Sequence, residues 1–165
     1  MSARRILLRR GGRLRAGLLA AALLLPGLQA RAASSCSLVS VTGVSFGPYD
    51  VFNAAPTNQT GSVTFKCQAG ILPLVPVTIT LSTGNSGIYA FRQLRKGAES
   101  LQYNLHLDAA HALIWGNGTG GSLPLGPLLP ADNVETTVTI YGQIPPGQNI
   151  TAGSYSDTIT VTINF

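Results

Sequence analysis

Two histidines are the first side chains to consider for catalysis, because only histidine titrates near neutral pH without special help. His106 and Asp108, with one of many serines, could form a Ser-His-Asp arrangement in which the imidazole activates a hydroxyl. No nucleophile-elbow signature accompanies them, and the acidic residues are scattered singly, outside apolar runs that would raise a carboxyl pKa. We expect His106 on the solvated polar face of a strand and His111 in the turn beyond it. The sequence therefore predicts no catalytic residue and no enzyme activity.

The two cysteines, Cys36 and Cys67, are the other residues with chemistry of their own. In an exported chain they predict one disulfide, and closing a loop of about 30 residues typically adds about 2–4 kcal/mol of stability. The alternative is half of a zinc site, although zinc usually takes four ligands at recognisable spacing. We expect no metal and no small-molecule cofactor.

The N-terminal residues indicate export. The first fifteen residues carry six arginines, and an uncharged, leucine-rich run of the same length follows, which is the pattern of a secretory signal peptide. This run is shorter than the roughly 20 residues of a membrane-spanning helix, so a retained anchor is the weaker alternative. Small residues at Ala30 and Ala32 predict cleavage before Ala33. We therefore divide the chain into a signal peptide, 1–32, and a single domain, 33–165.

Removing the predicted leader reverses the sign of the net charge. The full chain has a net charge of +5, but seven of its eleven basic residues lie in the leader. Four basic residues then face six acidic ones, which gives the predicted domain a net charge of −2. The domain lacks the basic balance that favours nucleic acid or anionic lipid, so we expect no nucleic-acid partner.

The pattern of apolar residues in the domain predicts strands. Val, Ile and Thr dominate its ordered-looking stretches, whereas Ala, Lys and Glu are sparse, which favours an all-β class. The clearest alternation closes the chain, where every second residue from Ile159 to Phe165 is apolar. The opening strand has apolar residues on both faces, as expected if it bends or switches sheets at Gly43. Further strands are predicted at 38–46, 62–67, 77–82, 101–108 and 134–141, with a short seventh at 113–115.

Turn-forming residues separate these segments, and six or seven short strands punctuated in this way predict an immunoglobulin-like β-sandwich. In two consecutive antiparallel strands, the start of the first lies beside the end of the second. Cys36 and Cys67 occupy those two places, so the predicted strands and the predicted disulfide support each other.

Several short motifs follow one another along the domain: Cys36 with Phe46-Gly47-Pro48-Tyr49-Asp50, Gly61 through Cys67, Thr78-Ile79-Thr80-Leu81-Ser82 with Gly84, Arg92, Tyr103-Asn104-Leu105, Trp115-Gly116, Tyr141-Gly142-Gln143-Ile144, and Ala152-Gly153-Ser154-Tyr155-Ser156-Asp157-Thr158. In this order they resemble the spore coat protein U domain family, found in subunits of the archaic chaperone–usher pili of bacteria. The resemblance implies an incomplete immunoglobulin-like sandwich whose last strand a partner supplies. It also implies the partners, which are a periplasmic chaperone, an outer-membrane usher and other pilus subunits that add a strand. The localisation that it implies is the cell surface, reached through the periplasm.

The last strand gives this implication a physical basis. A long strand edge with an apolar face aggregates unless a partner adds a strand to it. We therefore expect the last strand to line an acceptor groove for the chaperone and then for a donor strand. The predicted groove residues are Ile159, Val161, Ile163 and Phe165, with Leu38, Val44 and Phe46 on the far wall.

Only Ala33-Ser34-Ser35 precedes the first cysteine after the predicted cleavage, whereas polymerising members of the family carry a donor segment there. A subunit that accepts a strand but donates none is expected at the tip of a fibre. The connections 68–74 and 116–133 would then point outward as an adhesive surface, or alternatively fold back over the end of the sandwich. The predicted adhesive residues are Ile71, Leu72, Leu74, Leu123, Leu125, Leu128 and Leu129.

A structural and adhesive pilus subunit is therefore the leading functional hypothesis. Within the structural class, the alternative is a spore or cell-surface coat protein that assembles without an usher. From a different class, the alternative is a secreted carbohydrate-binding module, which would bind glycans as a monomer and need no chaperone.

Overall fold

The computed structural model describes residues 33–70 and 76–165, and the regular structure in these two ranges is almost entirely β. The predicted signal peptide lies outside the described residues. Within the two ranges, we find no helix with the length and apolar character needed to cross a membrane. The elements are β1 (Ser35–Thr42), β2 (Thr57–Gln68), β3 (Val77–Leu81), a 3-10 turn (Gly84–Ser86), β4 (Arg92–Lys96), β5 (Glu99–His106), β6 (Leu125–Leu128), β7 (Glu135–Ile144) and β8 (Val161–Asn164).

The strands form two antiparallel sheets, with the strand orders β1-β2-β7-β5-β4 and β6-β3-β8. The inward side chains alternate along each central strand, so that Val63 and Phe65 of β2 and Ile79 of β3 are fully buried in one shared core. Burial on one face alone produces this two-residue period. The predicted all-β class is confirmed.

The predicted disulfide is present and joins Cys36 to Cys67. The two residues lie directly opposite each other in the antiparallel ladder of β1 and β2, at the start of the first strand and the end of the second. The bond therefore ties the edge strand β1 to the interior of its sheet.

The structure has two strands, β4 and β6, that the sequence pattern does not predict. Strand β4 contains only one apolar residue, Leu94, and β6 contains Gly126 and Pro127, which indicate a turn in the sequence. The predicted short strand at 113–115 forms only single bridges, between Ile114 and His106 and between Trp115 and Leu123.

The opening strand changes its inward face twice, which explains its apolar residues on both faces. Leu38 pairs with Phe65 and Val41 with Val63, and a bulge lies between Leu38 and Ser40. Directly paired residues share a face of the sheet, so Leu38 and Val41 both point toward the core despite their odd spacing. After β1 ends at Thr42, Val44 and Phe46 pack against the core, so the second change lies close to the predicted bend at Gly43.

Candidate functional site

An open cleft of about 180 Å³ lies between the residues that lead into β8 and the residues at and after the end of β1. Its base is formed by core side chains of β3, β5 and β7, so it reaches the interior of the sandwich. Phe46 meets the ring of Tyr103 edge to face, with the two ring centroids 5.7 Å apart. The lining residues are Val41, Gly43, Val44, Phe46, Leu81, Leu94, Tyr103, Leu105, Ile140, Asp157, Ile159 and Val161.

The structure brings four of the seven predicted groove residues together in this cleft: Val44 and Phe46 on one side, and Ile159 and Val161 on the other. Ile163 and Phe165 continue the same alternation beyond the cleft, toward the end of the chain. Leu38 faces inward from β1 but does not line the cleft. The role of all seven residues in accepting a strand stays a prediction.

Eight lining residues are absent from the sequence-based groove: Leu81, Tyr103, Leu105 and Ile140 at its base, and Val41, Gly43, Leu94 and Asp157 in its walls. Val41 is missed because the bulge in β1 changes which residues face inward. Leu94 is missed because its strand is not predicted. Asp157 lies two residues before Ile159 and four before Val161, so it shares their face of the strand. This two-residue spacing is the signal that could have identified Asp157 as a groove residue.

Two inward-facing side chains of β1 are left uncovered. Leu38 and Val41 lie opposite Phe65 and Val63, which are fully buried, yet they are 47% and 44% exposed themselves. An inward apolar side chain normally loses nearly all of its exposure when the opposite sheet covers it. The exposure of this pair shows that the sandwich lacks cover along its β1 edge.

Two of the four outer strand edges are open to a further strand, and the other two are blocked. Within the described residues, no strand pairs with the outer edge of β1 or of β8. Strand β4 is bonded on its outer side, where the backbone of Arg95 exchanges two hydrogen bonds with that of Ser156. Strand β6 contains Pro127, which has no N–H to offer a further strand.

The backbone of the last strand shows which of its residues are available on the open side. The N–H of Ser82 donates to the carbonyl of Thr160 at 3.0 Å, so Thr160 faces β3. Successive residues of a strand direct their backbone groups to opposite sides, so Val161 and Ile163 present theirs to the unpaired edge. The side chains of these two residues point toward the core, which is the combination that an added strand requires.

Asp157 places a carboxylate in the wall of this otherwise apolar cleft. Its Oδ2 accepts the Tyr103 hydroxyl at 2.7 Å, and its Oδ1 accepts the backbone N–H groups of Asn85 and Thr158 at 2.8 and 2.7 Å. Burial, followed by the bond to Asp157, raises the pKa of Tyr103, so this phenol stays protonated. Gly84 has a positive φ of 64°, and a Cβ there would collide with the same carboxylate.

Comparison with known sequences identifies the family. Residues 22–162 match the Spore Coat Protein U domain, which is most of the chain. The chain belongs to the Spore Coat Protein U domain family. Protein U of Myxococcus xanthus is 32% identical to it over 149 residues, which cover 82% of this chain and 80% of that protein. The resemblance inferred from the short motifs is confirmed. Membership of this family supports a structural, non-enzymatic role for the chain.

A solved structure supports the same fold for this Spore Coat Protein U domain. It is the complex of a chaperone and a tip adhesion subunit, before assembly, from the archaic chaperone–usher Csu pili of Acinetobacter baumannii. The alignment has a TM-score of 0.50 and 18% identity, and it covers 80% of this chain. The chain spans 40% of the length of the chain that it matches. The likeness confirms the predicted immunoglobulin-like sandwich.

Several motif residues of the Spore Coat Protein U domain meet in a buried polar network beside the cleft. The Arg92 guanidinium is fully buried and donates to the carbonyls of Ser82 and Trp115 and to Oδ1 of Asn104, at 2.7–3.0 Å. The indole N–H of Trp115 donates to the Ile79 carbonyl at 2.9 Å. Burial lowers the pKa of Arg92, and nearby Tyr103, Tyr89 and Asp157 oppose that shift. The network joins β3, β4 and β5 across both sheets.

The prediction that His106 is solvated is wrong. Its side chain is buried, because residues 113–115 fold back beside the end of β5 and the His111 ring packs edge to face on His106, at 5.2 Å between ring centroids. Nδ1 of His106 has no hydrogen-bond partner among the described residues. Asp108 accepts the backbone N–H groups of Ala112 and Leu113 instead, so the structure does not assemble a catalytic triad around it.

The stability of the folded chain should fall as the pH is lowered, because His106 is buried as a neutral ring. Burial holds the pKa of His106 below its ordinary value, although a backbone hydrogen bond to Tyr141 and the charge of Asp108 oppose the shift, so the folded chain favours the neutral ring. The unfolded chain therefore binds more protons below about pH 6.5, and stability is lost as the pH falls through that region. Denaturant unfolding between pH 7.5 and 5 should show this loss, and His106→Phe should reduce it. Equal pH dependence in the two proteins would contradict the assignment.

The predicted adhesive residues fall into three groups, which are outside the described residues, packed against the core, or exposed. Ile71, Leu72 and Leu74 lie outside the described residues. Leu125 and Leu128 belong to β6 and pack against the core, so for these two residues the structure agrees with the alternative of a connection that folds back. Leu129 is 76% exposed, and Leu123 is nearly half exposed. An adhesive role for these last two leucines stays a prediction.

The described residues do not group three His, Cys, Asp or Glu side chains closely enough to hold a metal ion. The disulfide takes up both cysteines, which leaves no thiolate for the alternative zinc site.

Proposed function

We propose that this chain is an exported subunit of a chaperone–usher pilus, which accepts a strand from a partner between β1 and β8. The observation that carries the proposal is the uncovered pair Leu38 and Val41, which face inward from β1, together with the unpaired edge of β8. A strand laid between the two edges would cover this pair and close the sandwich. The role is structural and requires no catalytic residue or cofactor.

The expected binding mode is β-augmentation, in which main-chain bonds hold the added strand and alternate side chains enter pockets. The outward backbone groups of β8 would bond to it, and its apolar side chains would fill the cleft down to Leu81 and Ile140. Burying four apolar side chains contributes roughly 1.5–3 kcal/mol each. The completed joint would therefore be much more stable than the isolated subunit.

The proposed partners follow from the same need for cover. A periplasmic chaperone would provide the strand first, an outer-membrane usher would mediate the exchange, and another subunit would provide the final strand. Support comes from the fold shared with a subunit whose solved complex contains a chaperone. The predicted signal peptide, 1–32, provides the route into the periplasm.

The test is export with and without a source of the missing strand. Expressed alone in a bacterial periplasm, the chain should be degraded or aggregate, because its open edge and apolar cleft are exposed. Co-expression with a cognate periplasmic chaperone should yield a soluble one-to-one complex. A matched control carries a flexible linker and an alternating apolar strand after Phe165, and it should be soluble without the chaperone. A stable, soluble monomer of the unmodified chain would contradict the proposal.

A surface coat protein is the second candidate, and the match to the Spore Coat Protein U domain favours it. Removal of the usher separates the two functions in the native host. A pilus subunit should then be lost from the cell surface, whereas a coat protein that assembles without an usher should remain there.

A further inference from the structure

Asp157 continues the inward row of the last strand, at the end opposite to Phe165. The row runs Asp157, Ile159, Val161, Ile163, Phe165, and the first three of these residues line the cleft. A strand that covers the whole row therefore meets four apolar side chains and one carboxylate. This carboxylate interrupts a surface that otherwise selects only for apolar residues.

The hydrogen bonds of Asp157 leave one acceptor position open. A carboxylate can accept about four hydrogen bonds, and the structure supplies three, from Tyr103, Asn85 and Thr158. Water can reach the remaining position while the cleft is open, because Asp157 is only half-buried. An added strand would exclude that water, and a buried carboxylate without a full set of partners is costly.

The charge of Asp157 is already partly balanced. The negative charge of Asp157 favours the protonated form of the buried Arg92 guanidinium, because it raises the pKa of Arg92. The Tyr103 hydroxyl adds a neutral donor to the same carboxylate. The three hydrogen bonds that Asp157 accepts leave room for one more, which a neutral amide or hydroxyl can supply.

We propose that the strand accepted by this cleft carries a neutral hydrogen-bond donor, an amide or a hydroxyl, opposite Asp157. For a strand antiparallel to β8, that position lies eight residues after the one opposite Phe165, and the four alternate positions before it are apolar. This inference rests on the proposed function and adds the rule by which the cleft distinguishes one donor strand from another.

The experiment uses three synthetic peptides that differ only at the residue opposite Asp157, which is Asn, Leu or Asp. Leu is close to Asn in shape, so this pair isolates the hydrogen bond. The full chain is refolded with each peptide, and peptide affinity is measured by competition. We expect the Asn peptide to bind roughly tenfold or more tightly than the Leu peptide, and the Asp peptide to bind most weakly.

Asp157→Asn provides the matched variant, because it keeps the shape of the side chain and removes its charge. The variant should bind the Asp peptide at least roughly tenfold better than the original chain does, since the like-charge contact is gone. Equal binding of the Asn and Leu peptides to the original chain would overturn the inference and leave the proposed function intact. Binding of none of the peptides would overturn both.

Discussion

Val161→Asp should abolish strand acceptance, with at least a roughly hundredfold loss of affinity for a chaperone or a donor peptide. Val161 lines the cleft and pairs with Leu81, which is buried in the core. An added strand would trap the new carboxylate among apolar side chains with no cation to pair it. The measurement is co-purification with the chaperone, followed by peptide competition.

Thr162→Asp is the matched control, because Thr162 is the next residue and is exposed on the opposite face of β8. It should change the affinity much less than Val161→Asp. Phe165→Asp gives a second test, since Phe165 is more than half exposed in the isolated chain and its replacement should leave the fold intact. It should weaken binding by roughly tenfold or more. Equal effects of Val161→Asp and Thr162→Asp would show that the inward row is not the binding surface.

The two-residue alternation predicts the last strand, of which the structure forms Val161–Asn164, because one face of it meets solvent and the other meets the core. Every second residue from Ile159 onward is apolar for that reason, and local sequence alone records it. The disulfide is predictable for a similar reason. Two consecutive antiparallel strands place Cys36 beside Cys67 whatever the rest of the fold does.

The features that the sequence does not predict depend on contacts between distant segments. The inward position of Val41 follows from a bulge, which depends on pairing with β2 rather than on local composition. His106 lies on the polar side of a regular alternation and is buried only because residues 113–115 return to cover it. Strand β6 forms despite Gly126 and Pro127, because Leu125 and Leu128 pair with β3.

Arg92 is the clearest case of a residue whose environment its sequence does not reveal, and its replacement should have the largest effect on stability. Arg92→Leu removes the donors to Ser82, Asn104 and Trp115. The carbonyls of Ser82 and Trp115 are then left without these donors, whereas Oδ1 of Asn104 keeps the backbone N–H of Leu105. Each buried unsatisfied group costs about 1–3 kcal/mol, so the loss of two donors should lower the free energy of unfolding by at least about 2 kcal/mol. This change is measured by denaturant unfolding of the chain that carries the linker and the added strand after Phe165.

The chain offers two comparisons for this effect. Arg92→Lys keeps the positive charge, but its compact ammonium cannot span the three acceptors that the planar guanidinium reaches, so much of the stability should still be lost. Arg95→Leu alters an exposed arginine whose side chain bonds, in the part of the chain that the structure describes, only to Gln93, so it should change stability by less than about 0.5 kcal/mol. Within the described residues, no carboxylate lies within ion-pair distance of Arg92, so its fixed hydrogen bonds rather than an ion pair must account for the loss. If Arg92→Lys were as stable as the original chain, positive charge alone would be what this position requires.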